Sequence, residues 1–111
     1  MNENEIINAP ETAEEIGVGE YTFVKPAKID GEEKKSIPYD LTMLNGSHIR
    51  HAKGELQKRG YTVAVKELDE VFHAAMFAEA AGISIADVER FSPRDYNNVA
   101  DIARDFLYGE E

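Results

Sequence analysis

The sequence predicts a small α+β domain, mostly α, in which an N-terminal β-hairpin is followed by three to four short helices. Three observations carry this. An alternating segment over residues 21–41 is broken by Asp30-Gly31. Apolar residues recur at helical spacing in an Ala-rich stretch near residues 67–81. Ser-Pro at residues 92–93 then opens a last amphipathic segment.

The hairpin reads as "YTFVKPAKIDGEEKKSIPYDL". Tyr21, Phe23 and Val24 suit a strand, and Ile37, Tyr39 and Leu41 alternate at period two. Asp30-Gly31 is a two-residue turn signal, since Gly tolerates the positive φ such turns need. Pro26 and Pro38 each lack a backbone donor, so the strands are expected to be short, bulged or at an edge.

The first helix is expected over about 47–59. Ser47 is its candidate cap and Gly60 its stop, with Lys58 and Arg59 suiting the negative end. Its stripe of Ile49, Ala52 and Leu56 is thin. "YTVAV" follows as a short extended segment. The second helix is expected over about 67–81. Leu68, Val71, Phe72, Ala75 and Met76 share one face, while Ala74, Phe77, Ala78 and Ala81 cover much of the other. A helix apolar nearly all round is either central in its domain or keeps a second face for a partner. Gly82 ends it, and Ser84 with Asp87 starts a short helix over 85–90.

The last helix is expected over 93–108. Ser92 caps it, Pro93 occupies the first position where a missing N–H costs nothing, and Asp95 is expected to bond back to the cap backbone. The Arg-Asp-Tyr run of "SPRDY" is thereby read as a helix start rather than a reactive cluster.

Charge narrows the function. The chain has 111 residues and a net charge of −10. Residues 1–20 hold six Glu and no Lys or Arg, whereas residues 21–111 hold 16 acidic and 12 basic residues. Residues 1–18 have few large apolar groups to offset ordering entropy, so they are expected to form an acidic, disordered tail ahead of one compact domain at 19–111. No basic stripe marks a nucleic-acid binder. No apolar run reaches the roughly 20 residues of a membrane span, and the acidic start is unlike a secretory signal. The lack of cysteine fits a cytosolic setting.

Catalytic patterns are thin. His48, His51 and Glu55 fall one helical turn apart, as metal ligands sometimes do, but the same spacing suits a solvated polar face. The glycines form no phosphate-binding loop, and no serine has a nucleophile-elbow context. No enzyme, metal or cofactor is expected.

The order of the hairpin, the "DEVFHAAMFAEAAGIS" helix and the closing "DVERFSPRDYNNVADIARDFL" resembles the small Mu-like phage tail assembly chaperones, over about residues 21–107. The resemblance implies a non-enzymatic protein of the host cytoplasm, absent from the mature virion. It implies binding to the tape measure protein, which is kept soluble, and help for tail tube subunits as they polymerise around it. No family binding residues carry over by motif. His73, Met76 and Phe77 of the second helix and Tyr108 of the last are the expected partner contacts, being large groups that a one-faced core leaves over. The other reading of these four is that they fill the core. Self-association is left open. A different class of function is a small acidic adaptor or inhibitor of a basic protein, such as an antitoxin.

Overall fold

One helix, buried along almost its whole length, organises the domain. A computed structural model describes residues 16–109. The order is β1 (Val18–Ile29), β2 (Glu32–Asp40), a 3-10 turn (Leu41–Met43), α1 (Gly46–Lys58), a second 3-10 turn (Lys66–Leu68), α2 (Glu70–Ala81), α3 (Ile85–Glu89) and α4 (Pro93–Tyr108). This is the hairpin-then-helices α+β order read from the sequence. The expected tail over residues 1–18 falls, for residues 1–15, outside the described residues. Val18 is already strand, paired with Asp40, and the Leu41 N–H donates to the Gly17 carbonyl at 2.6 Å.

The hairpin turns at Asp30 and Gly31, whose φ angles of 55° and 82° are both positive. Two positive φ values match the right-handed twist of the flanking strands. Thr22 pairs with Ser36 and Ala27 with Lys34, so Phe23 to Pro26 bulge opposite Lys35 alone. The bulge accommodates Pro26, which has no ladder bond to give. The strands are consequently long, at 12 and 9 residues. Phe23, Ala27, Ile29 and Ile37 form the buried face. Phe23 meets Phe91 edge-on at 4.8 Å, and Tyr39 lies 5.2 Å from Phe77.

Helix α1 starts one residue before the expected range, because Asn45 rather than Ser47 is its cap. The Asn45 side-chain oxygen accepts from the Ser47 N–H at 2.9 Å, and the His48 ring Nδ1 accepts from the Asn45 N–H at 3.0 Å. Gly60, at φ 81°, closes the helix. Its N–H reaches the Gln57 carbonyl while the Tyr61 N–H reaches Leu56, so two terminal carbonyls are satisfied.

Helix α2 begins at Glu70, not Glu67. Asp69 takes the cap, accepting from the Phe72 N–H at 2.9 Å, and residues 66–68 wind separately. Leu68 therefore leaves the apolar face assigned to it. Residues 72–78 are all buried. Helix α4 packs along one side of α2, and α1, α3 and the hairpin pack around the rest. Of the two explanations for an all-round apolar helix, the central position is the one observed. Ala74, Ala75 and Ala78 on α2 with Ala100 and Ala103 on α4, all buried, keep the side-chain layer thin where helices meet.

Candidate docking surface

The "SPRDY" stretch is an anchor. The Ser92 hydroxyl oxygen accepts from the Asp95 N–H at 3.2 Å, as a cap should. The Asp95 carboxylate does not turn back to the cap backbone. It is wholly buried and reaches across to β1. It accepts from the Tyr21 hydroxyl at 2.6 Å, the Val24 N–H at 2.8 Å, the Lys25 N–H at 3.1 Å and the Ser92 hydroxyl at 2.7 Å. The β1 bulge aims those two amides at it. Burial alone would raise the Asp95 pKa. The hydrogen bonds from Tyr21, Val24, Ser92 and Lys25 outweigh burial and hold it below its usual value. With its lone pairs occupied, this carboxylate is poised for structure, not proton transfer.

His48, His51 and Glu55 do not converge. His48 serves the α1 cap. His51 bonds Glu79 on α2 through Nδ1, with Glu55 at 3.8 Å from Nε2. The Glu79 hydrogen bond is the main reason the His51 pKa is raised. Among the described residues no group of three His, Cys, Asp or Glu side chains is placed to hold a metal.

Three of the four expected contact residues lie inside. Met76 and Phe77 have no exposed surface and His73 is 3% exposed. The expectation of an accessible second face on α2 is corrected for the free chain: the hairpin covers Phe77 through Tyr39, and α4 covers the side near His73. Tyr108 is half-buried and sits at the rim, 5.6 Å ring to ring from His73.

The surface has a different apolar feature, missed in the sequence. Between α1 and α2, residues 59–69 form a strap exposing Tyr61, Val65 and Leu68, the last by 82%. The strap is pinned rather than loose. The Tyr61 hydroxyl donates to Asp69 at 2.9 Å, and the Leu68 N–H donates to Val65 at 3.0 Å. The buried His73 bonds the Lys66 carbonyl through Nε2 at 2.8 Å. A carbonyl only accepts, so His73 carries its proton on Nε2 here.

Residues of the 66–68 turn line two grooves, Leu68 in one and Glu67 in the other. One is lined by Tyr61, Ala64, Val65, Leu68, Val71 and the acidic pair Asp69 and Glu70. The other is lined by Glu67, Arg104, Asp105, Tyr108 and Gly109. Burial, and after it the Glu67 carboxylate, raises the Tyr108 pKa. Burial, then Glu70 and Glu89, does the same for Tyr96. The ridge is apolar, and its flanks are electronegative.

The signal for the strap was present in part. Gly60 stops α1, and a run of Tyr, Val, Ala and Val follows with no second strand to pair with. Asp69, three residues before Phe72, is a cap that excludes Leu68 from the helix.

A family model described as phage tail assembly chaperone proteins, E, or 41 or 14, matches residues 20–108. No curated protein and no solved structure matches the chain. The matched span runs from β1 to the last residue of α4, taking in the bulge, the anchor and the strap, and the chain belongs to this family of phage tail assembly chaperones.

Proposed function

We propose that this chain binds the tape measure protein during tail assembly, keeps it soluble and helps recruit tail tube subunits to it. In this reading it works in the host cytoplasm and leaves before the virion is complete. A tape measure segment not yet covered by its tube presents apolar helical faces to water. A partner that holds such a face must itself show apolar groups, yet keep the complex dispersed. The carrying observation is the pinned strap, where Tyr61, Val65 and Leu68 stand exposed. Leucine 82% exposed on an ordered turn has no role in the chain's own core. Large apolar groups in a fixed patch mark docking sites. The net charge of −10 opposes aggregation of the loaded complex. Among the described residues no helix is long and apolar enough to cross a membrane.

Co-expression with the tape measure protein tests this. The expected result is a higher soluble yield of that protein and co-elution with this chain on size exclusion. A tape measure protein soluble alone, with no co-elution, would leave the acidic-adaptor reading in its place.

A further inference from the structure

We infer that the strap takes an amphipathic helix whose apolar stripe is flanked by Lys or Arg, with the stripe seated on Val65, Leu68 and Tyr108 and the cations facing Glu67 and Glu70. The inference rests on the chaperone reading above and adds the chemistry of the partner segment.

The 66–68 turn contributes to two grooves, lined together by Glu67, Asp69, Glu70 and Asp105 against Arg104 alone. Arg104 is already committed, bonded to Asp105 at 3.0 Å and within 3.5 Å of Asp101. Asp69 is committed as well, to the Phe72 amide and the Tyr61 hydroxyl. Glu67 and Glu70 make no ion pair among the described residues. They stand on either side of Leu68 in sequence; Glu70 feels Arg104 at a distance but neither is paired with it. Lys66 shares the turn but lines neither groove.

That sign rejects two other occupants. The chain's own residues 1–15 hold five Glu and no Lys or Arg. A second copy brings a net charge of −10 against the same acidic rim. Like charges set against each other disfavour both, and opposite charges at the rim mainly set partner choice and encounter rate. The ridge is short, with Val65 and Leu68 three residues apart and joined by a backbone bond. A helix presents apolar groups on one face at i, i+3, i+4 and i+7, which suits a ridge that contributes to two grooves.

Two synthetic peptides of about 20 residues, each about 30 Å long as helices, provide the test. Both carry the same Leu stripe, one flanked by Lys and the other by Glu. Binding to the full chain is read by fluorescence anisotropy at low and high salt, alongside tape measure solubilisation in cells. The Lys peptide is expected to bind roughly 10-fold or more tighter than the Glu peptide at low salt, with the gap closing at high salt. Glu67→Lys with Glu70→Lys is expected to reverse the preference, and Leu68→Asp to abolish binding of both. Equal binding of the two peptides, or an unchanged preference in the double variant, overturns the charge assignment. Binding of neither peptide, or of both by Leu68→Asp, overturns the strap as the site. The chaperone reading is judged separately, by whether the wild-type chain solubilises the tape measure protein at all.

Discussion

The Tyr21 hydroxyl donates a 2.6 Å hydrogen bond to the Asp95 carboxylate, joining the first strand to the last helix across 74 residues of sequence. The two Asp95 oxygens also hold the Val24 and Lys25 amides of the bulge. Asp95→Ala is expected to leave those part-buried donors without their acceptor and to cost about 3 kcal/mol, since bonds to a charged group are each worth roughly 1.5–3 kcal/mol. Urea unfolding measures the loss. Hydrogen exchange should locate it in the hairpin. A variant as stable as the parent would remove the anchor role.

Acid should weaken the same joint. The Asp95 pKa is depressed in the folded chain below its ordinary value of 3.8. Its contribution is present in full above that value and is lost as pH falls towards and through the folded pKa. Urea midpoints taken on acidification from about pH 6 should fall more steeply for the parent than for Asp95→Asn, whose side chain does not titrate.

His51 behaves oppositely. Its pKa is raised above 6.5, chiefly by the Glu79 hydrogen bond. The α1–α2 contact it makes is present below 6.5 and fades as pH rises through the folded pKa. Glu79→Gln should return the His51 titration, followed by proton NMR, towards 6.5. His51 is exposed, although Glu79 is half-buried, so global stability should move little.

Leu68→Asp and Phe77→Asp should part company. Leu68 is outside and Phe77 is wholly inside. The first substitution should leave the unfolding free energy within about 0.5 kcal/mol of the parent, as surface changes do, while ending capture of the tape measure protein. The second places a charge in the core and should unfold the chain. Circular dichroism separates them, and a folded Phe77→Asp protein would mean α2 is not the centre of the domain.

Gly17→Ala should disturb the entry to β1. Gly17 has φ 91°, and a Cβ there would stand 2.5 Å from the Phe106 ring. Strain from the backbone and the forced movement of the ring should together cost about 1–3 kcal/mol. Phe106→Ala in the same background should recover little, because it removes the contact but not the strain.

Much of this fold was legible because its signals are local. Asp30-Gly31, Gly60, Gly82 and Ser92-Pro93 each act within one turn of chain, and each stands where the sequence placed it. The start of α2 was harder. Leu68 fits the helical period, yet Asp69 caps the helix after it, and capping overrode periodicity. The surface was harder still. Periodicity shows that Met76 and Phe77 are apolar on different sides of α2, but the strand that covers Phe77 comes from Tyr39 and its neighbours, and the ring beside His73 comes from Tyr108. The partners of Asp95 lie 70 residues or more upstream. No window of sequence pairs a carboxylate with the backbone amides of a distant bulge.

The bulge-to-helix joint also sets the order in which the chain can mature. A two-stranded hairpin alone is marginal in water, so β1 and β2, made before the helices, gain partial support from α2 through Tyr39 and Phe77 and their final anchor only when α4 arrives. Pairings of such long sequence separation slow folding. The chain should therefore stay protease-sensitive on the ribosome until Asp95 has cleared the exit tunnel. Release of nascent chains stalled on either side of that residue, followed by brief proteolysis, should show an abrupt change from cleaved to protected. The hairpin of such a chain is the first part made and the last secured.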